Sequence, residues 1–199
     1  MHGLIFKTFQ VFIEDTYGLD TWIAIAEAAD LDPSEFEAML SYEHKLLATL
    51  VRSTEQVLGK VGVQFLEDIG TYLVSHPNRE GLRRLLRFGG DDFIEFLHSL
   101  DDLPGRARLA VPNLMLPEME LIEADPTHFV LNVVGNMKSF SYVMVGVMRA
   151  MADDYGALVL LDHKGCESSN LQRIEITVVE TAFAEGRNFE LSAAQGTSV

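Results

Sequence analysis

The sequence predicts an α+β fold. Two observations carry that reading. Apolar residues recur at helical spacing from the start of the chain to Leu103. Beyond Pro104 the pattern turns to short β-rich runs separated by turns, interrupted by one long amphipathic helix. Helices first and strands later suit an N-terminal helical part followed by a mixed part with a small antiparallel sheet.

The elements follow in order. Leu4, Ile5, Phe9, Phe12 and Ile13 give a helix over 4–17. Gly18 ends it, and Asp20 or Thr21 caps a second helix near 21–29. Asp32-Pro33-Ser34 breaks the chain, and Ser34 with Glu37 forms a capping box. Residues 43–59 and 61–75 read as two helices divided near Gly59. The stretch 76–81 is a turn, followed by a short helix to Arg87 and then Gly89-Gly90. Residues 91–103 read as one amphipathic helix, with Phe93, Phe96, Leu97, Leu100 and Leu103 on one side. Met119 to Glu123 and Phe129 to Val134 form a hairpin about Asp125-Pro126-Thr127. Residues 139–152 are helical. Ala157–Leu161 and Ile174–Val179 are two strands flanking a polar loop, and the tail after Glu185 frays.

Composition excludes several classes. A net charge of −15 over 199 residues disfavours nucleic acid and anionic membranes, because an acidic surface repels phosphate. Arg79, Arg83, Arg84 and Arg87 form the nearest basic cluster, which helical spacing turns into a solvated face. Hydrophobic residues at 48% allow a generous interior, either a plain core or one that holds a pocket. The single cysteine, Cys166, permits no intrachain disulfide and suits a reducing compartment. The opening residues lack a basic region followed by a long apolar run, and no stretch is long enough to span a bilayer. A cytoplasmic location is expected.

No catalytic constellation stands out, and the chain does not read as an enzyme. Ser75-His76 and Asp162-His163 are adjacent pairs, which rarely face one another productively. Gly89-Gly90 matches no nucleotide motif. Asp91-Asp92, Asp101-Asp102 and Asp153-Asp154 lie at helix ends, a structural placement that implies no metal.

Four stretches carry a family resemblance: MHGLIF with FIEDTYGLDTW, LRFGGDDFIEFLHSLDDL, VPNLMLPEM, and FVLNVVGNM with FSYVMVGVMRAMA. In that order and spacing the chain resembles the heme nitric oxide/oxygen-binding (H-NOX) family. The resemblance implies one sensory domain over 1–185, with a helical lobe about 1–65, a mixed lobe about 66–185 and a flexible tail over 186–199. Family members enclose a b-type heme between the lobes. A proximal histidine ligates the iron, and a Tyr-x-Ser-x-Arg motif grips the propionates. Binding of NO or O₂ is then signalled to a partner such as a histidine kinase or a cyclase.

The sequence departs from that pattern at both heme determinants. The histidine's place is taken by Pro104, after Leu100-Asp101-Asp102-Leu103. Proline offers iron no lone pair. Helical phase from Leu97 and Leu100 puts position 104 on the inward face. The propionate motif falls on Val133, Gly135 and Met137, which offer no hydroxyl or guanidinium. His98 lies six positions before 104, about 240° around a helix, and faces away. His128 sits exposed at a turn. Met115 and Met119 could offer a thioether but are more simply packing, and Cys166 falls in a polar loop. Other pocket positions persist by resemblance. Ile5 and Phe9 match the distal wall, Pro117 the proline that presses on the heme, and Tyr142 a distal tyrosine. Heme is therefore implied by resemblance alone. The residues favour a sensor that has lost histidine-ligated heme and takes another apolar small ligand, or none. A weakly ligated heme sensor of NO, O₂ or redox state, and a ligand-free interaction module, are the alternatives.

Overall fold

A computed structural model of the chain describes residues 1–31, 36–168 and 170–189, with the backbone alone at 166–168. The helical half is built as its apolar spacing requires: α1 Gly3–Tyr17, α2 Leu19–Ala28, α3 His44–Leu58 and α4 Gly62–Ser75. Their inward faces meet in an aromatic-rich core of Phe6, Phe9, Phe12, Trp22, Phe65 and neighbouring aliphatics. Phe9 and Phe12 both pack on Phe65, with ring centroids 5.1 and 5.3 Å apart. Full burial of a phenylalanine contributes about 2–3 kcal/mol, so this cluster anchors the half.

A 3₁₀ turn at Pro77–Arg79, within the stretch the sequence reads as a turn, leads into α5 Glu80–Arg87, the short helix expected to end at Arg87. Then come α6 Phe93–His98 and α7 Leu103–Ala110. This corrects the single helix expected over 91–103. Asp92 accepts from the Glu95 N–H at 2.9 Å and Glu95 accepts from Asp91 N–H at 2.8 Å, a reciprocal cap that starts α6. The helix closes at Ser99, well before the proline. Pro104 then sits in the first turn of α7, where its missing N–H leaves no helical bond unmade.

The mixed half holds a four-stranded sheet: β1 Glu118–Asp125, β2 His128–Val134, β3 Leu158–Ser168 and β4 Leu171–Glu180, in the order β1-β2-β4-β3. Every pair is antiparallel. Phe129, Leu131, Val133, Ile174, Ile176 and Val178 alternate onto one buried face. That face packs with α8, Lys138–Tyr155, in a core rich in methionine. The polar loop expected after Leu161 is instead the outer half of β3. Lys164 pairs there with Asp162 and, across the strands, with Glu175 at 3.1 Å, so polar residues serve an edge strand. The backbone of Cys166 belongs to that strand.

α4 and α8 join the halves. Gly70 faces the Val143 carbonyl and Gly146 the Glu67 carbonyl, so backbone meets backbone where they cross. Of three further expectations, one falls outside the described residues and two meet a different structure. Ser34 of the expected capping box lies outside the described residues, while Glu37 leads into a turn. Arg83 is buried, not part of a solvated face, and donates to Asp154 at 2.7 Å. The tail begins docked: Arg187 N–H donates to the Asp154 carbonyl at 2.8 Å, and Phe189 lies under Arg87. Residues 190–199 lie outside the described residues. Among the described residues no helix is long and apolar enough to cross a membrane.

Candidate functional site

Between the two cores lies a cavity of about 270 Å³. Each wall comes from an amphipathic element whose apolar face has turned inward. From α1 come Leu4, Ile5, Thr8 and Phe9, which follow a 3–4 residue spacing. α4 adds Leu66, Ile69 and Leu73, and α5 adds Leu82, Leu85 and Leu86. α7 and its continuation supply Leu103, Ala107, Val111 and Leu114, while Met137, Ser139, Phe140, Val143 and Met144 close the far side. Thr8 and Ser139 contribute the two hydroxyls of an otherwise hydrocarbon and thioether lining.

The expected pocket positions divide. Ile5, Phe9 and Met137 line the cavity. Pro104 is buried beside the lining residue Leu103, yet does not itself form the wall. It is inward, though the helix used to phase it is broken. Pro117 packs against Gly135, whose added Cβ would lie 3.3 Å from it. Val133 is enclosed in the sheet core, paired with Met119 and Gln172. Tyr142 turns away from the cavity to stack on His163, with centroids 4.0 Å apart and planes 15° apart. The other candidate ligands are elsewhere. His98 is half-exposed against Glu123 at 3.3 Å, and His128 pairs with Asp125 at 2.9 Å. Met115 is exposed and Met119 is in the sheet core.

The donor set of this lining does not fit a histidine-ligated heme. No imidazole, thiol, phenol, ammonium or guanidinium lies among the lining residues. Iron would find only the Met137 and Met144 thioethers, and propionates would find only two hydroxyls.

Sequence reasoning missed several wall residues. The Leu82, Leu85, Leu86 spacing marks an apolar face on α5, and Thr8 lies three positions after Ile5, so that signal was present. It also missed the partner of His163, which lies on α8 and not beside it in sequence. His163 Nδ1 accepts from Gly165 N–H at 3.0 Å, which places the ring proton on Nε2. That proton points to Ser141 Oγ at 2.9 Å, and Ser141 donates to the Lys138 carbonyl at 2.9 Å. Ser141 is fully buried, so this is a structural chain and not an activated nucleophile.

Burial lowers the His163 pKa below its ordinary 6.5. The folded state therefore binds the proton more weakly than the unfolded state. Stability is full above 6.5 and declines as pH falls below it toward the lowered value. We expect the Tm to drop between pH 7.5 and 5.5, and the drop to shrink in His163→Gln. An equal drop in the variant would assign the pH dependence to other groups.

An α+β domain with a partly open apolar cavity between its two cores is the class of protein the geometry defines. Residues 2–163 match the family described as HNOB, Haem-NO-binding. The chain belongs to that family. It is 23% identical over 158 residues to soluble guanylate cyclase 89Db of Drosophila melanogaster, covering 79% of this chain and 24% of that protein. The likeness to soluble guanylate cyclase gcy-31 of Caenorhabditis elegans is 23% over 154 residues, with 77% and 22% covered. The chain thus spans about a quarter of the length of these relatives. Among solved structures, an Fe(II) unliganded H-NOX protein from K. algicida superposes with a TM-score of 0.78 at 18% identity, covering 93% of this chain and all of that one. An H-NOX protein from S. oneidensis gives 0.76 at 17% identity, with 95% and 100% covered. At these identities the structural likeness is one of fold.

Proposed function

We propose that this domain is a cytoplasmic sensor whose cavity takes a small apolar molecule in place of histidine-ligated heme. The observation that carries the reading is the lining: two hydroxyls, no imidazole and no cation around about 270 Å³. Apolar cavities of about 150 Å³ already admit benzene, so this one has room for a larger guest. Family membership supports a sensory rather than a catalytic role. The guanylate cyclase relatives and the wider family support a cyclase or a histidine kinase as the partner that receives the signal. A cavity of about 270 Å³ that side chains do not fill weighs against a pure interaction module with a closed core. A second reading, a thioether-ligated heme sensor of NO, O₂ or redox state, draws on Met137 and Met144 in the wall.

Titration of the purified chain with hemin separates the two. No sharp Soret band is expected. A sharp band that shifts on addition of NO would sink the heme-free reading, and its loss in Met137→Leu or Met144→Leu would identify the ligand. Pro104→His is expected to recover no imidazole-ligated spectrum, because position 104 stands outside the lining. Ala107→His, one turn further along α7 and in the wall, is expected to give an imidazole-ligated band.

A further inference from the structure

Most hydroxyls on the helices of this protein are already engaged. Thr21, Thr49, Thr54, Ser75 and Ser141 each donate to a backbone carbonyl three or four residues earlier. Thr8, Ser53 and Ser139 differ, and of these Thr8 and Ser139 line the cavity. Among the described residues neither of these two hydroxyls has a hydrogen-bond partner, and they reach the cavity from different elements, Thr8 from α1 and Ser139 from the first turn of α8. Each hydroxyl can donate one hydrogen bond and accept others. Everything around them is aliphatic, aromatic or thioether.

We propose that the ligand is an uncharged apolar molecule bearing one neutral hydrogen-bonding oxygen, such as a ketone or an alcohol, held by Thr8 and Ser139. The proposal rests on the reading of the cavity as a small-ligand site and names the class of ligand. A purely hydrocarbon guest would displace water from both hydroxyls and leave them without a partner. A carboxylate would be taken out of water with no cation in the wall to neutralise it, which costs far more than two hydroxyls return. A single carbonyl or hydroxyl oxygen matches the donors present, and the rest of the molecule matches the lining.

The test uses three probes with one ring: toluene, acetophenone and benzoate at pH 7.5. Binding to the full chain and to Thr8→Val/Ser139→Ala is followed by calorimetry. Both substitutions are close in size to the originals, and unchanged unfolding temperatures without probe check that the variant is intact. Acetophenone is expected to bind the variant about fivefold more weakly than the native chain, the worth of one net hydrogen bond. Toluene is expected to bind both equally. Benzoate is expected to bind at least tenfold more weakly than acetophenone, since its charge is buried without a partner. Equal acetophenone affinity in chain and variant overturns the role of the hydroxyls while leaving an apolar-ligand site in place. Benzoate binding as well as acetophenone overturns the uncharged class. If neither toluene nor acetophenone binds at millimolar concentration, the cavity reading itself falls, and this proposal with it.

Discussion

Gly146→Ala is expected to destabilise the domain by about 3 kcal/mol or more, and Gly70→Ala by a similar amount. A Cβ at position 146 would fall well inside contact distance of the Glu67 carbonyl oxygen, with Thr71 N at 2.9 Å. One at position 70 would strike the Val143 carbonyl oxygen, with Val147 N at 2.8 Å. The obstacles are backbone atoms, which cannot rotate aside as a side chain can. Alanine is otherwise the better helix residue by about 1 kcal/mol, so propensity alone predicts the opposite sign. The clash is expected to win because relieving it means separating α4 from α8, and those helices join the two halves. Val143 packs against both cores, and Leu66, Ile69, Val143 and Val147 line the cavity near the crossing. Urea unfolding measures the loss. A change under about 1 kcal/mol in either variant would mean that the crossing is looser than this geometry. Acetophenone uptake is expected to fall in parallel, since a wider crossing reshapes the wall.

How far such features are legible in the sequence depends on how local their cause is. α1, α3 and α4 announce themselves because each buries one stripe, so the period is visible. The division between α6 and α7 does not. Phe93, Phe96, Leu97, Leu100 and Leu103 keep helical phase straight through the break, and all five are buried. Periodicity therefore reports burial there and not continuity. Pro104 marks the discontinuity, but proline suits the first turn of a new helix as well as the end of an old one. The outer half of β3 was hidden because an edge strand can be polar on both faces. In the cavity, Ile5, Phe9 and Met137 could be anticipated from resemblance. Val133, Gly135, Pro117 and Tyr142 could not be placed by it, since packing in three dimensions decides which neighbour of a wall residue actually reaches the wall. The glycine pair and the burial of Arg83 arise from contacts distant in sequence and have no local signature.

Asp154→Ala is the second substitution with a large expected cost, about 3–5 kcal/mol. Asp154 and Arg83 have side chains only 1% and 5% exposed, and the Arg83 Nε donates to the carboxylate at 2.7 Å. Burial opposes the charge on Arg83, but the hydrogen bond and charge of Asp154 outweigh it and raise the guanidinium pKa. Removing the carboxylate leaves that cation in place with Glu80 at 3.1 Å, itself partly exposed, and the Asn188 carbonyl at 3.2 Å. Those contacts offset only part of the lost stabilisation. Arg87 is also affected, since it lies 3.7 Å from the other carboxylate oxygen and 4.0 Å over the Tyr155 ring. Burial in that cluster pushes the Tyr155 hydroxyl up to about 12, and it donates to the Gly90 carbonyl at 2.8 Å. The comparison that isolates the charge is Arg83→Met/Asp154→Leu. Replacing both partners by apolar groups removes the unpaired cation, so the double variant is expected to recover at least half of the stability lost in Asp154→Ala. A double variant as unstable as the single one would show that the pair acts through packing. The cluster also touches function. Arg83 lies on α5 among the cavity residues Leu82, Leu85 and Leu86, while its own side chain and Arg87 hold residues 188 and 189 and Asp154 holds Arg187. Loss of the pair is therefore expected to raise amide exchange at 186–189 and to weaken acetophenone uptake together, because one helix carries both contacts.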